Sequence, residues 1–295
     1  MTARLPNLPT DKDFAAMTTV SAAVTPMIEP AMATARTVVF SKTLRVNRRG
    51  LLGWTAGITL AAVMYASFYP QIAKNGAAQA DNVPEGLRDA LHMDDIASAP
   101  GYLGATVFGL IVPLLAMFFG AAVGARVTAA DEESGTLDLL LAHPITRTSL
   151  ILQRFAALVL AATGIGIVLW LAMLAIRGGA DLTAISAGQF AAQCVHLTLL
   201  TVTFGALATG LGAAFGRRGV VFAVTAVVGV AAYAAHAFAA QIGLGWAAYL
   251  SPFHYYIDSE PLRNGVGWTG LLVLATVSAL LVTAGTYRFN HRDLV

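Results

Sequence analysis

The sequence predicts an all-α, polytopic membrane protein with six transmembrane helices. Three observations carry this prediction. Only 12% of the 295 residues are Asp, Glu, Lys or Arg, 57% are hydrophobic, and mean hydropathy is +0.69. Soluble domains carry roughly 25% charged residues, and in water this balance would leave large apolar patches exposed. Six apolar runs reach about 20 residues, the length a helix needs to cross the hydrocarbon. Short alternating segments of the β-barrel kind do not occur, so each run must be a helix that satisfies its own backbone hydrogen bonds.

Residues 1–30 lack the continuous apolar core of a signal peptide and are broken by Pro6, Pro9, Pro26 and Pro30. They are expected to be a disordered cytoplasmic tail. Residues 31–49 are basic, with Arg36, Lys42, Arg45, Arg48 and Arg49. Residues 50–295 then make up the six-helix domain. The first span runs from Leu51 to Tyr69, with Pro70 after it. The second runs from Tyr102 to Ala125 and holds Pro113 as an expected kink. The third covers Phe155 to Ile176, the fourth Phe190 to Phe215, the fifth Val220 to Ala240 and the sixth Trp268 to Tyr287.

Six spans put both termini on one side. Fourteen of the 18 Lys and Arg residues fall on that side; the others are Lys74, Arg88, Arg177 and Arg263. The positive-inside rule makes the termini cytoplasmic. The first outer loop is acidic, with Asp81, Glu85, Asp89, Asp94 and Asp95, and reads as a solvated loop, with a cation-recruiting surface as the alternative. The second outer segment, 241–267, carries Trp246, Tyr249, Phe253, Tyr255 and Tyr256, but Gly243, Gly245, Ser251, Pro252 and Pro261 interrupt it. A re-entrant or interfacial hairpin is expected there, with aromatics at headgroup depth.

Several function classes are excluded. A net charge of +2 with no basic stripe gives no nucleic-acid surface. There is no GxxxxGK[ST], HExxH, GxSxG or zinc-spaced Cys/His cluster, and the six histidines are scattered. No catalytic, cofactor or metal site is therefore expected on this chain. Cys194, the one cysteine, lies in an apolar run and is expected to be buried. The spans carry essentially no charge at their centres, which argues against a secondary transporter or a proton channel. His196 and His236 are expected to be packed and hydrogen-bonded. Gly120 with Gly124, and Ala206 with Gly210, space small residues four apart. Packing within the chain is the expected use, and a dimer interface is the alternative.

The loop between the second and third spans, 126–154, carries the most specific signal. Asp131, Glu132 and Glu133 precede Leu137, as suits the start of a short surface helix. Leu137, Leu140 and Leu141 share one face of it. Pro144 ends it, and Thr146 is placed to cap the next helix. A leucine face beside acidic residues fits either a docking element for a soluble partner or a helix resting on lipid.

This loop resembles the segment of ABC-2 type transporter permeases with the pattern E-x-x-G-T-[LM]-E-x-L-L-x-x-P-[IVL]-[ST]-R. The matching residues are Glu132, Gly135, Thr136, Leu137, Leu139 or Leu140, Pro144, Ile145, Thr146 and Arg147, with Asp138 in place of the usual Glu. The basic approach segment, Ser251-Pro252-Phe253 after the fifth span, and the ending Phe289-Asn-His-Arg-Asp-Leu294 are also similar to that family, and the resemblance implies that 31–49 is a cytoplasmic interfacial helix whose Lys42, Arg45, Arg48 and Arg49 meet anionic lipid heads or the ATPase. The resemblance covers the chain from about residue 31 and implies a type V exporter-like architecture in a bacterial plasma membrane. It implies a pair of permease chains, homo- or heterodimeric, above separate ATP-binding subunits that hold ATP and Mg. Glu132, Glu133, Gly135, Thr136, Leu137, Asp138, Leu140, Pro144 and Arg147 would then couple ATPase closure to the spans. A path between such apolar, alanine-rich spans suits lipophilic or amphipathic cargo, with drug or antibiotic efflux expected first and lipid export, sodium extrusion and copper-enzyme maturation in the same family left open. A non-transporting membrane sensor or assembly partner, and a secondary transporter, are the alternative functions.

Overall fold

The computed structural model describes residues 48–80, 95–134, 146–215, 217–238 and 243–291. Its helices are α1 (Arg48–Ala66), α2 (Tyr69–Ala80) and α3 (Ala99–Tyr102), the last running through a π-helix (Leu103–Ile111) into α4 (Val112–Ser134). They continue with α5 (Arg147–Ile176), α6 (Ala187–Phe215) and α7 (Arg218–Phe238). A 3-10 turn (Gly245–Leu250), α8 (Pro252–Ile257) and α9 (Pro261–Asn264) lead to α10 (Trp268–Asn290). Six stretches are long and apolar enough to cross a bilayer: Arg49–Lys74, Ala99–Val127, Thr148–Ile176, Ala187–Ala213, Arg218–Phe238 and Trp268–Asn290. Each coincides with an expected span.

Two details differ from the sequence reading, and the expected Pro113 site gains a structural context. Pro70 does not end the first span. The chain turns at Ser67 and Phe68, and Pro70 becomes the second residue of α2, where its missing N–H is not needed. Pro113 is accommodated by the π-helix that precedes it. Pro113 has no N–H to offer the carbonyl of Gly109, and wider π spacing re-routes the ladder there, with the Val112 N–H reaching the Val107 carbonyl. The third span starts at Thr148 rather than Phe155. Thr146 does cap it, its hydroxyl accepting from the Ser149 N–H.

The fourth span is the centre of the bundle. Of its most apolar stretch 67% is buried, against 17% for the first span and 22% for the fifth. Glycines bring its neighbours close. A Cβ on Gly120 would strike the Thr201 carbonyl, and one on Gly124 would lie 2.9 Å from the Ala208 Cβ. The glycine pair of the second span therefore packs inside the chain, against α6. On another face, a Cβ on Gly285 would lie 2.7 Å from the Gly210 Cα, bringing α10 equally near. By contrast, Gly50, Gly53 and Gly57 of α1 face open space.

The threonines and the histidine of α6 are hydrogen-bonded, as an apolar surrounding requires. Thr201 and Thr209 donate to the carbonyls four residues back, each at 2.8 Å. Thr203 does the same to Leu199 and also meets the Ser278 hydroxyl of α10 at 3.0 Å. His196 is fully buried, with Nδ1 2.9 Å from the Ala192 carbonyl and Nε2 3.3 Å from that of Gly267. It is packed and hydrogen-bonded, as expected, and Cys194 is buried beside it on the same helix.

Candidate functional site

The two ends of the bundle hold different machinery. At one end, α4 leaves and α5 enters. Asp131, Glu132 and Glu133 belong to the last turn of α4, which runs to Ser134, rather than to the first turn of a separate helix. No glycine or proline falls between Gly124 and Gly135, so the span simply continues. Arg147 opens α5. Gly135, Thr136, Leu137, Asp138, Leu140 and Pro144 lie outside the described residues, as does most of the 31–49 segment.

What frames this loop is well defined. The Arg154 guanidinium donates to the Val127 carbonyl at 3.0 Å, tying the start of α5 to the end of α4. Val127, Leu150, Ile151, Ala213 and Phe289 form a buried apolar cluster that joins four spans. Asn290 donates to the Thr148 hydroxyl at 2.9 Å. Two residues of the C-terminal motif, Phe289 and Asn290, thus clasp the loop's flank.

At the other end sits the hairpin between α7 and α10. Ser251-Pro252-Phe253 is its hinge. The Ser251 hydroxyl donates to the Ala232 carbonyl of α7 at 2.8 Å and accepts from the Phe253 N–H, capping α8. Pro252 follows at the first helical position, where proline is favoured. Phe253 and Tyr256 are fully buried, and Phe253 packs against Phe204 and Tyr233 at ring distances of 5.4 and 5.2 Å. Trp246, Tyr249 and Leu250, just before the hinge, are exposed. The hairpin therefore has an inserted arm and a surface arm.

The inserted arm closes a cavity of about 220 Å³. Gly104, Ala105 and Phe108 of the π-helix form one wall, Gln193 of α6 another, and Tyr256, Asp258, Glu260 and Arg263 the third. Burial pushes the Tyr256 phenol well above its usual range, and the Gln193 side chain beside it only partly offsets that. Glu260 takes the left-handed conformation at φ 41°, a costly one for a non-glycine residue. Its carbonyl accepts from the Arg263 and Asn264 N–H groups, each at 2.9 Å. Arg263 reaches across to Asp95 at 2.6 Å, and its own carbonyl accepts from Gln189 at 2.8 Å. Strain and polar pairing thus gather at the lip of this cavity.

The sequence reading missed one arrangement. His236, at the end of α7, and His254 and Asp258, on one face of α8 and its cap, converge with their ligand atoms within 4.8 Å of one another. The histidines had looked scattered because they lie on different helices. The only legible signal was the His254-x-x-x-Asp258 spacing, which places both side chains on one helical face.

Among curated proteins, none matches the chain significantly. A family model described as ABC-2 family transporter protein matches residues 37–294, from the basic approach segment to the C-terminal motif. With six membrane-spanning helices and a match over nearly its whole length, the chain belongs to the ABC-2 transporter family.

Proposed function

We propose that this ABC-2 permease works as one of a pair of permease chains, each driven by a separate ATP-binding subunit, and that it exports lipophilic or amphipathic compounds. Family membership gives the coarser statement, a membrane permease subunit of an ABC exporter. The observation that carries the finer one is the loop sequence from Glu132 to Arg147, set between two helices whose bases are clasped together. A force on that loop reaches α4 and α5 at once, and through Ala213 and Phe289 it also reaches α6 and α10. Glu132, Glu133, Gly135, Thr136, Leu137, Asp138, Leu140, Pro144 and Arg147 are the coupling residues in this reading. ATP and Mg sit on the partner.

The loop end is cytoplasmic in this reading, with both termini, because the Lys and Arg residues concentrate there. The hairpin end then faces outward. The cargo class is supported by the interior: among the described residues no Asp, Glu, Lys or Arg is buried, and the buried polar groups are Gln, His, Ser and Thr. A path next to such surfaces suits molecules with large apolar parts. Alternating exposure follows if the ATP-bound and ATP-free partner favour different arrangements of the spans.

The test is a mild-detergent pull-down of the chain from native membranes, with co-purifying proteins identified and ATP hydrolysis assayed. A stoichiometric P-loop ATPase with vanadate-sensitive activity, stimulated by lipophilic compounds, is the expected result. Repeated recovery without any ATPase overturns the coupling assignment.

A further inference from the structure

We propose that His236, His254 and Asp258 form a binding site for a divalent transition-metal ion, with Zn2+ the best match, which staples the hairpin to α7. The three residues come from two elements, α7 and α8 with its C-cap. His236 ends α7, and its Nε2 lies 3.5 Å from Asp258 Oδ1. His254 Nδ1 contacts the other carboxylate oxygen of Asp258 directly. All three ligand atoms fall within 4.8 Å of one another. Ligands about 2.0–2.1 Å from a tetrahedral zinc stand roughly 3.3 Å apart, so the His236–Asp258 separation already fits. The His254–Asp258 pair must open slightly to admit the ion. The ligands bind the ion in their deprotonated forms, and any proton they carry leaves to solvent.

The donor set selects the metal. Two imidazole nitrogens and one carboxylate suit Zn2+ and its transition-metal neighbours, whereas Mg2+ and Ca2+ favour all-oxygen shells. The surroundings orient the ligands. The Tyr249 ring packs edge-on against His254 at 4.5 Å, and Tyr255 packs at 5.0 Å on another side. The His236 side chain is only 5% exposed, while that of Asp258 is 36% exposed. The site is thus buried on the α7 side and open on the Asp258 side. That opening gives an ion its entry and leaves the fourth position for water. Three protein ligands with one open position is an arrangement zinc adopts readily.

The experiment uses the full chain, purified on an affinity tag without histidines and held in lipid nanodiscs. It is titrated with Co2+, which reports tetrahedral nitrogen and oxygen coordination by visible absorption, and then with Zn2+ as competitor. The expected result is one Co2+ per chain, displaced by Zn2+. Affinity should fall at least tenfold in each of His236→Gln, His254→Gln and Asp258→Asn, and stay unchanged in His291→Gln. The three site changes keep side-chain size, and a single symmetric peak on size exclusion shows that each variant is folded. Wild-type thermal unfolding should also shift upward with Zn2+, a gain the variants lose. Absence of a visible band in the wild type, or a band and thermal shift that persist undiminished in folded variants, overturns the site. The readout is binding, so either result leaves the exporter reading untouched.

Discussion

At the hairpin end, order comes from polar chemistry laid over a buried aromatic anchor; at the loop end, it comes from an apolar cluster and two hydrogen bonds. The hairpin end collects Arg263 with Asp95, Gln189 with the Arg263 carbonyl, the strained Glu260, and the His236, His254 and Asp258 group. The loop end is closed by Val127, Leu150, Ile151, Ala213 and Phe289, with Arg154 and Asn290 as ties. The difference is one of construction: one end holds a small polar-lipped space, and the other joins the bases of four helices through buried apolar contacts.

Four changes sharpen or break that contrast. The largest effect is expected from Leu140→Asp in the loop: ATP-dependent transport falls at least tenfold, while membrane insertion and thermal unfolding stay as in the wild type. Unchanged transport in vesicles, or a lowered unfolding temperature, would show that the loop end is structural rather than coupling. Phe253→Ala removes the hairpin's buried anchor and is expected to cost about 3–5 kcal/mol of stability, read as an earlier unfolding midpoint. A midpoint within error of wild type would mean that the hairpin is an appendage. Gly120→Leu forces a side chain into the Thr201 backbone and is expected to destabilise by about 1–3 kcal/mol; a neutral result would place the second and fourth spans farther apart. The smallest effect is expected at the cavity lip. Arg263→Ala loses a largely exposed ion pair with Asp95 and changes stability by no more than about 1 kcal/mol. A larger loss in a denaturation series would assign the hairpin end's rigidity to that pair.

The six spans were legible because lipid imposes a length and a composition that few other surroundings require. Their ends were less so. Arg147 and Arg154 made the start of α5 look like loop, yet the Arg154 head finds the Val127 carbonyl and the helix continues through it. Pro70 looks like the end of the first span, yet it lies in the first turn of α2, and Pro113 directly follows the π-helix that covers its missing N–H. The acidic triplet before Gly135 was read as a helix start because acids favour that position; helix-forming alanines upstream carried α4 through it. For the candidate sites the order was reversed. The loop motif is contiguous, so sequence exposes it. The His236 group depends on a hairpin folding back onto α7, and nothing in a linear reading brings those two helices together.

The glycine contacts of the fourth span have a mechanical consequence. Where a helix meets its neighbour backbone to backbone, no side chain is available to slide or change rotamer, so the pair cannot glide past each other without losing the contact outright. Gly120 and Gly124 bind the second span to the fourth in this way, and Gly210 with Gly285 binds the sixth. The fifth span instead meets the second through the flexible Met117 side chain, against Gly229. The second, fourth and sixth spans thus form a chassis, whereas Gly50, Gly53 and Gly57 of the first span face open space and lock it to nothing in this way.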